Sequence, residues 1–152
     1  MSALDIRAEA PDSPASRACL AAYFAELDRR FEGGFDPGTK GYTDPKDAGV
    51  FYLALRDAQP IACGALKRID AATFEIKRMW VAPAARGQGV AKALLAALEA
   101  EAVRLGATRI VLDTNKALAE AHALYRKAGY REIARFNDNP YAHLWFEKTL
   151  SA

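Results

Sequence analysis

The sequence predicts an α/β (α+β) fold: a mixed, mostly antiparallel central sheet with one β-α-β crossover in its second half. Three observations predict it. Strand-like runs at 50–56, 61–69 and 73–82 are separated by turns short enough to imply an antiparallel meander. Apolar residues recur at helical spacing before and after that meander. A strand, a helix and a strand then follow one another over residues 109–136, which is the order a crossover requires.

The elements follow in order. Leu4, Ile6 and Ala8 alternate and open the chain as a strand. Pro11, Asp12, Ser13 and Pro14 mark a turn and a helix start. Leu20, Phe24, Leu27 and Phe31 share a helical period, so residues 14–31 read as an amphipathic helix. Gly33, Gly34, Pro37, Gly38 and Gly41 make residues 32–49 a long loop, a type that often carries function. Residues 57–60 and 70–72 are the turns of the meander, and Pro83 ends its third strand. Gly87 and Gly89 precede a helix over 90–105, whose buried stripe is Val90, Leu94, Leu95, Leu98, Ala102 and Leu105. Gly106 stops it. A strand over 109–113 leads to a helix over 116–128, stopped by Gly129. Strands at 130–136 and 141–150 flank the turn residues Asn137, Asp138, Asn139 and Pro140.

Bulk properties bound the function. A chain of 152 residues fits one domain over 1–152 and can bury a core unaided. Lys and Arg number 21 against 19 acids, so no overall field favours nucleic acid or a membrane surface, and neither is expected as a partner. Cys19 and Cys63 have no metal-ligand spacing and read as buried reduced thiols, so no metal is expected. The first residues lack the apolar core of a signal peptide, and no run reaches the roughly 18 apolar residues of a membrane span. The expected location is the cytoplasm.

The informative segment is M-W-V-A-P-A-A-R-G-Q-G-V-A-K-A-L-L, from Met79 to Leu95: a strand, a Gly-rich turn and a helix start. A helix N-terminus presents unpaired N–H groups and partial positive charge, and glycine lets a ligand approach the backbone closely. Together they form a cradle for phosphate. The P-loop pattern is absent. The dinucleotide pattern G-x-G-x-x-G fails at Lys92, where its third glycine belongs. The pattern R-x-x-G-x-A fits, with Arg86, Gly89 and Ala91.

This hexapeptide resembles the acetyl-CoA signature [QR]-x-x-G-x-[GA] of the GNAT acetyltransferase superfamily, and the V-A-P before it and A-L-L after it match as well. The run from Leu118 to Tyr130 resembles the family's N-x-x-A-x-x-L-Y-x-x-x-G-[FY], with Ala121, Leu124, Tyr125, Gly129 and Tyr130 in place. Leu118 stands where many members have Asn. Asn115, one helical turn earlier, supplies either that missing amide or a helix cap. The resemblance covers about residues 50–150 and, with G-G-F-D-P-G from Gly33 to Gly38, looks like a bacterial subgroup of small stand-alone or regulator-fused enzymes.

The resemblance implies helices on both faces of the sheet and acetyl-CoA as co-substrate. It implies transfer of acetyl to a primary amine, with a small molecule as acceptor. The alternatives are a protein or peptide acceptor and a non-catalytic acyl-CoA sensor. It implies main-chain contacts from Met79 and Val81 to the pantetheine arm, and an N–H of Trp80 or Val81 on the thioester oxygen. Main-chain N–H groups of Gly87, Gln88, Gly89, Val90, Ala91 and Lys92 would hold the diphosphate, assisted by cations among Lys77, Arg78, Arg86 and Lys92. Tyr125 matches the family's general acid. Glu75 matches a position where some members carry a general base, and reads equally as the ion-pair partner of a nearby cation. Acceptor contacts are expected from Arg30, Phe35, Asp36, Arg78, Asn137, Asp138 and Tyr141, with Arg78 suited to a substrate carboxylate. His122 is expected on a helix surface and His143 packed in a strand. Trp80, Trp145 and Phe146 read as core aromatics. Dimers are common in the family, which makes a homodimer one expected assembly.

Overall fold

The computed structural model describes residues 3–37 and 50–150, so residues 38–49 of the expected loop lie outside the described residues. The elements are β1 (Asp5–Ala8), α1 (Pro14–Arg30), β2 (Val50–Arg56), β3 (Gln59–Arg68), β4 (Thr73–Val81), α2 (Val90–Arg104), β5 (Arg109–Thr114), α3 (Ala119–Lys127), β6 (Arg131–Ile133) and β7 (Leu144–Thr149). Among the described residues the strands form one seven-stranded sheet in the order β1-β2-β3-β4-β5-β7-β6. The β4–β5 pair is parallel and the other described pairs are antiparallel.

Local chemistry sets the boundaries. Ser13 caps α1 by accepting a hydrogen bond from the Ser16 N–H at 3.1 Å, and Pro14 occupies the first turn, where its missing N–H costs nothing. Asp57 and Ala58 both take positive φ, 52° and 62°, the geometry of a two-residue hairpin turn. That turn starts β3 at Gln59, two residues before the expected position. Pro60 is tolerated because the register slips opposite it, between Ala54 and Leu55. α3 starts at Ala119 and not near 116, because Asn115 organises a turn first. Its Oδ1 accepts from the Ala117 N–H at 2.9 Å and its carbonyl from the Leu118 N–H at 3.0 Å.

The last third departs furthest from expectation. The parallel crossover runs from β4 through α2 to β5, and β7 inserts between β5 and β6. Burial explains the order. β7 carries the fully buried Phe146 and pairs with β5 over six residues. β6 is a three-residue strand, mostly exposed, and such strands suit a sheet edge.

Alternation along the strands sends side chains to two cores. Ala54, Ala62, Ile76, Ile110 and Phe146 pack with Leu94 and Leu98 of α2. Leu53, Leu55, Cys63 and Ala65 pack with Cys19 and Leu20 of α1, so helices cover both faces. Both cysteines are buried free thiols. A smaller aromatic cluster of Leu27, Phe31 and Phe35 sits beyond α1 and meets Tyr141.

Candidate active site

The site begins with a fault in the sheet. The β3–β4 register slips between Cys63 and Ala65, and Arg78 opposite it takes φ 58°. A left-handed residue with a Cβ costs roughly 1–2 kcal/mol. β4 then parts from β5. Their pairing ends at Glu75–Val111, while β5 continues through Leu112, Asp113 and Thr114 against β7. A crevice of about 540 Å³ opens beside the released half of β4, with Met79, Trp80 and Val81 along its wall.

At one end of the crevice lies the turn into α2. Gly87 and Gly89 have φ 76° and 78°, and a Cβ on either would point into open space. The first bond of α2 runs from the Ala93 N–H to the Gly89 carbonyl at 3.0 Å. Among the described residues, no protein acceptor takes the main-chain N–H groups of Gly87–Lys92. Gly87, Gly89, Val90, Ala91 and Lys92 line the crevice. Gln88 does not. Its side chain turns away to Arg56 and to the Ala84 carbonyl.

Arg86 behaves differently from the expected phosphate ligand. Its guanidinium reaches back to both carboxylate oxygens of Glu26 on α1, at 2.6 and 2.7 Å, and its Nε donates to the Val81 carbonyl at 3.0 Å. Glu26 also accepts from the Trp80 indole at 3.1 Å and from Arg30 at 3.1 Å. Arg30 extends the network to Glu120 and to the Ala117 carbonyl, tying α1 to the start of α3. It lines the large crevice and not the smaller cavity described below, which holds others of the expected acceptor contacts. Asn115 is also corrected. Its amide donates to the Tyr141 carbonyl at 2.7 Å while Oδ1 holds the local turn, and the residue does not line the large crevice.

Burial pulls the Glu26 carboxyl upward, but the hydrogen bonds from Trp80, Arg86 and Arg30 more than offset it, so it titrates below its ordinary value. A carboxyl with a lowered folded pKa lends stability above its unfolded value and loses it as pH falls through the folded one. Glu26→Gln is therefore expected to destabilise the fold by roughly 1–2 kcal/mol at pH 7, discounted for the part-exposed Arg86. The gap to the parent should narrow below about pH 4.5, the ordinary value of that carboxyl. Urea unfolding at pH 7 and pH 3 checks this; an equal gap at both would contradict it.

A smaller cavity of about 70 Å³ adjoins the crevice. Tyr23, Leu27, Met79, Leu118, Ala121 and Tyr125 line both spaces. Of the expected acceptor contacts, Phe35, Arg78 and Tyr141 line the small cavity. Asp36 and Asp138 are exposed and line neither, and the Asp36 N–H donates to the Tyr141 hydroxyl at 2.8 Å. Asn137 lines neither. It bridges two acids, donating from Nδ2 to Asp113 at 2.6 Å and to Glu75 at 3.3 Å, while its Oδ1 accepts from the Trp145 indole at 3.0 Å.

Glu75 is 3% exposed and lines neither space. Burial raises its pKa; Lys77, 3.4 Å away, opposes that, and Asp113 adds to it. Tyr125 is 5% exposed, and its hydroxyl has no hydrogen-bond partner among the described residues. Burial, then the nearby Asp113 charge, raise its pKa, so it is a protonated donor at neutral pH. His122 contacts the Asn115 carbonyl at 2.8 Å. His143 is exposed ahead of β7, where its ring accepts from the Lys116 N–H, and not packed as expected.

The sequence reading missed Glu26 and Asp113. Asp113 carried a signal: it follows the apolar run Ile110, Val111 and Leu112 in one strand, where alternation puts it on the face of Val111. Glu26 carried none, since a helical period does not reveal which cations an acid off the apolar stripe will meet, or that they will bury it.

Comparison with known proteins agrees with this geometry. The model of the Acetyltransferase (GNAT) family matches residues 20–130. Over 105 residues, 66% of the chain, the sequence is 35% identical to the IAA acetyltransferase of Azospirillum brasilense, and covers 67% of that protein. The fold superposes on an acyl-CoA N-acyltransferase candidate from Klebsiella pneumoniae with a TM-score of 0.79 at 26% identity, covering 97% of this chain and 98% of that one. It also superposes on a GNAT acetyltransferase from Elizabethkingia anophelis, solved with acetyl-CoA bound, with a TM-score of 0.71 at 21% identity and the same coverage. Among the described residues no helix is long and apolar enough to cross a membrane, and no group of three or more His, Cys, Asp or Glu is placed to hold a metal. The family match over most of the chain, together with a sheet that parts beside a cradle of open amides, makes this chain a member of the GNAT family of acetyltransferases.

Proposed function

We propose that the protein transfers the acetyl group of acetyl-CoA directly to a primary amine on a small molecule. One observation carries this reading: a row of open main-chain N–H groups leads into a crevice that meets a second cavity at Tyr125. The residues present fit the donor. The N–H groups of Gly87–Lys92 suit a diphosphate, with Lys92 adding charge. The edge of β4 at Met79 and Val81, which pairs with no strand of the described residues on the β5 side, suits the amides of a pantetheine arm, which would lie there as an added strand. Arg86 would release the Val81 carbonyl to that arm. An N–H of Trp80 or Val81 would polarise the thioester oxygen. Acetyl-CoA supplies an activated acetyl group on a thiolate leaving group.

Tyr125 would protonate the departing sulfur, a reading supported by its lining both spaces and by a phenol that stays protonated. The acceptor would occupy the small cavity beside Phe35, Arg78 and Tyr141. A space of about 70 Å³ favours a small amine over a peptide main chain, which needs an open groove.

The test is a thiol-release assay with acetyl-CoA against glutamate, spermidine, kanamycin and a tetrapeptide, paired with calorimetric titration of CoA. Turnover with one of the first three is expected. CoA binding with no thiol release across the panel would instead support an acyl-CoA sensor, and release with the tetrapeptide alone would support a peptide acceptor.

A further inference from the structure

We infer that Asp113 is the carboxylate that receives the acceptor as an ammonium ion and takes its first proton. This rests on the amine-acetylation reading above and names the group within that site that recognises the amine.

Position comes first. β5 runs on past the last β4 pair, and Asp113 is the first residue of that extension on the face of Val111. The parting of the strands opens the space that Asp113 lines. Glu75, the acid expected from the sequence, sits on β4 where the two strands are still paired, and lines neither cavity. Of the two acids joined by Asn137, only Asp113 borders the acceptor space.

Charge and hydrogen bonding come next. One oxygen of Asp113 accepts from Asn137 at 2.6 Å and the other from Asn139 at 3.1 Å. Amides orient a carboxylate and do not neutralise it. Each oxygen keeps a second lone pair for another donor. Lys77 is the cation paired with Glu75, at 3.4 Å, and among the described residues no cation lies within ion-pair distance of Asp113. Lys77 and Arg78 also line the cavity, but Asp113 itself is an oriented carboxylate outside any ion pair of the described residues, and an ammonium group would supply that partner.

An independent observation marks the reacting position. Tyr125 is buried, its hydroxyl has no hydrogen-bond partner among the described residues, and the residue lines both spaces. The Asp113 charge is close enough to Tyr125 to help raise its pKa. An amine held by Asp113 therefore lies on the acceptor side of that junction. The charged and titratable groups around it are Glu75, Lys77 and Arg78 on β4, Tyr23 on α1, Tyr125 on α3, and Tyr141 in the loop before β7.

The step balances. The ammonium gives one proton to an Asp113 oxygen. Its freed lone pair forms the N–C bond to the acetyl carbon as the C–S bond breaks. The sulfur takes the Tyr125 proton, and the Tyr125 oxygen takes the second proton from nitrogen. Asp113 then releases its proton to solvent. One ammonium and one thioester become one amide, one thiol and one proton.

The experiment compares Asp113→Asn and Glu75→Gln in the full chain, using the best acceptor from the glutamate, spermidine and kanamycin panel. Asp113→Asn is expected to lower kcat/KM by at least about 100-fold, with acetyl-CoA affinity within about threefold of the parent. Its rate should follow the fraction of neutral amine in solution, because the enzyme no longer removes the proton. Glu75→Gln should lose less. If Asp113→Asn stays within about threefold of the parent, or Glu75→Gln loses more, the inference is overturned. If Asp113→Asn fails to bind acetyl-CoA, the size-matched pair Asp113→Glu and Asp113→Gln decides: the first should exceed the second by at least about tenfold, and equal rates overturn the inference. A parent enzyme that releases no thiol with any amine overturns the reading above, and this inference with it.

Discussion

Tyr125→Phe is expected to lower kcat by at least about 100-fold while leaving acetyl-CoA affinity within about threefold. The two quantities separate because of what the hydroxyl touches. It has no hydrogen-bond partner among the described residues, so its removal breaks no bond of the folded protein. The ring is a packing element, 6.1 Å from Phe146 and 5.9 Å from Tyr130 between centroids, and phenylalanine keeps those contacts. The melting temperature should therefore hardly move. The proton is lost, and a thiolate leaving without one is a poorer product at the transition state than in the bound ground state. Burial holds the phenol above its ordinary value of 10.0, so no alkaline limb from Tyr125 should appear below about pH 10. Single-turnover rates with calorimetry on the same samples make the comparison, and unchanged turnover would remove Tyr125 from the mechanism.

Gly89→Glu is expected to weaken CoA binding by at least about 100-fold, the second large effect. Two contributions need separating. Gly89 has φ 78°, and a Cβ there costs roughly 1–2 kcal/mol whatever the side chain. Gly89→Ala carries that strain alone, since its Cβ meets nothing within 4 Å. The glutamate adds a carboxylate at the mouth of the cradle, where open N–H groups and the end of α2 favour negative charge by about 0.3–1 kcal/mol. It would act as an internal competitor for the diphosphate and repel it when displaced. The glutamate variant should thus unfold no earlier than the alanine one yet bind CoA far more weakly. Titration of both with CoA tests this, and equal affinities would contradict a diphosphate seat at Gly87–Lys92.

The turn after β2, the start of α1 near Ser13 and the glycine turn into α2 were legible because each is a local conformational requirement written in adjacent residues, although the hairpin turn proved two residues shorter than the expected 57–60. What escaped was non-local. The strand–helix–strand order over 109–136 suggested the crossover there, but β5 pairs with the more apolar β7, and the parallel pair is β4 with β5. Arg86 sits in the expected motif, yet the acid that turns it aside lies 60 residues earlier on another element. Glu75 and Asp113 are both strand acids in sequence. Only the point where β4 leaves β5 decides which borders a cavity, and no single-strand pattern encodes that point. Asn115 offered two roles, and the loop carbonyl of Tyr141, 26 residues later, settled its side chain into a structural one.

The inserted β7 also constrains how the chain can assemble. β6 bonds to no strand but β7 among the described residues, and β7 is synthesised after it. β6 is therefore tied to the sheet only through the strand that follows it, and the sheet cannot be completed at this edge until β7 has been made. Such long-range pairing is slow relative to hairpin closure. Without β7 the free edge of β5 would be a bare row of hydrogen-bonding groups, the kind of edge to which another chain can add.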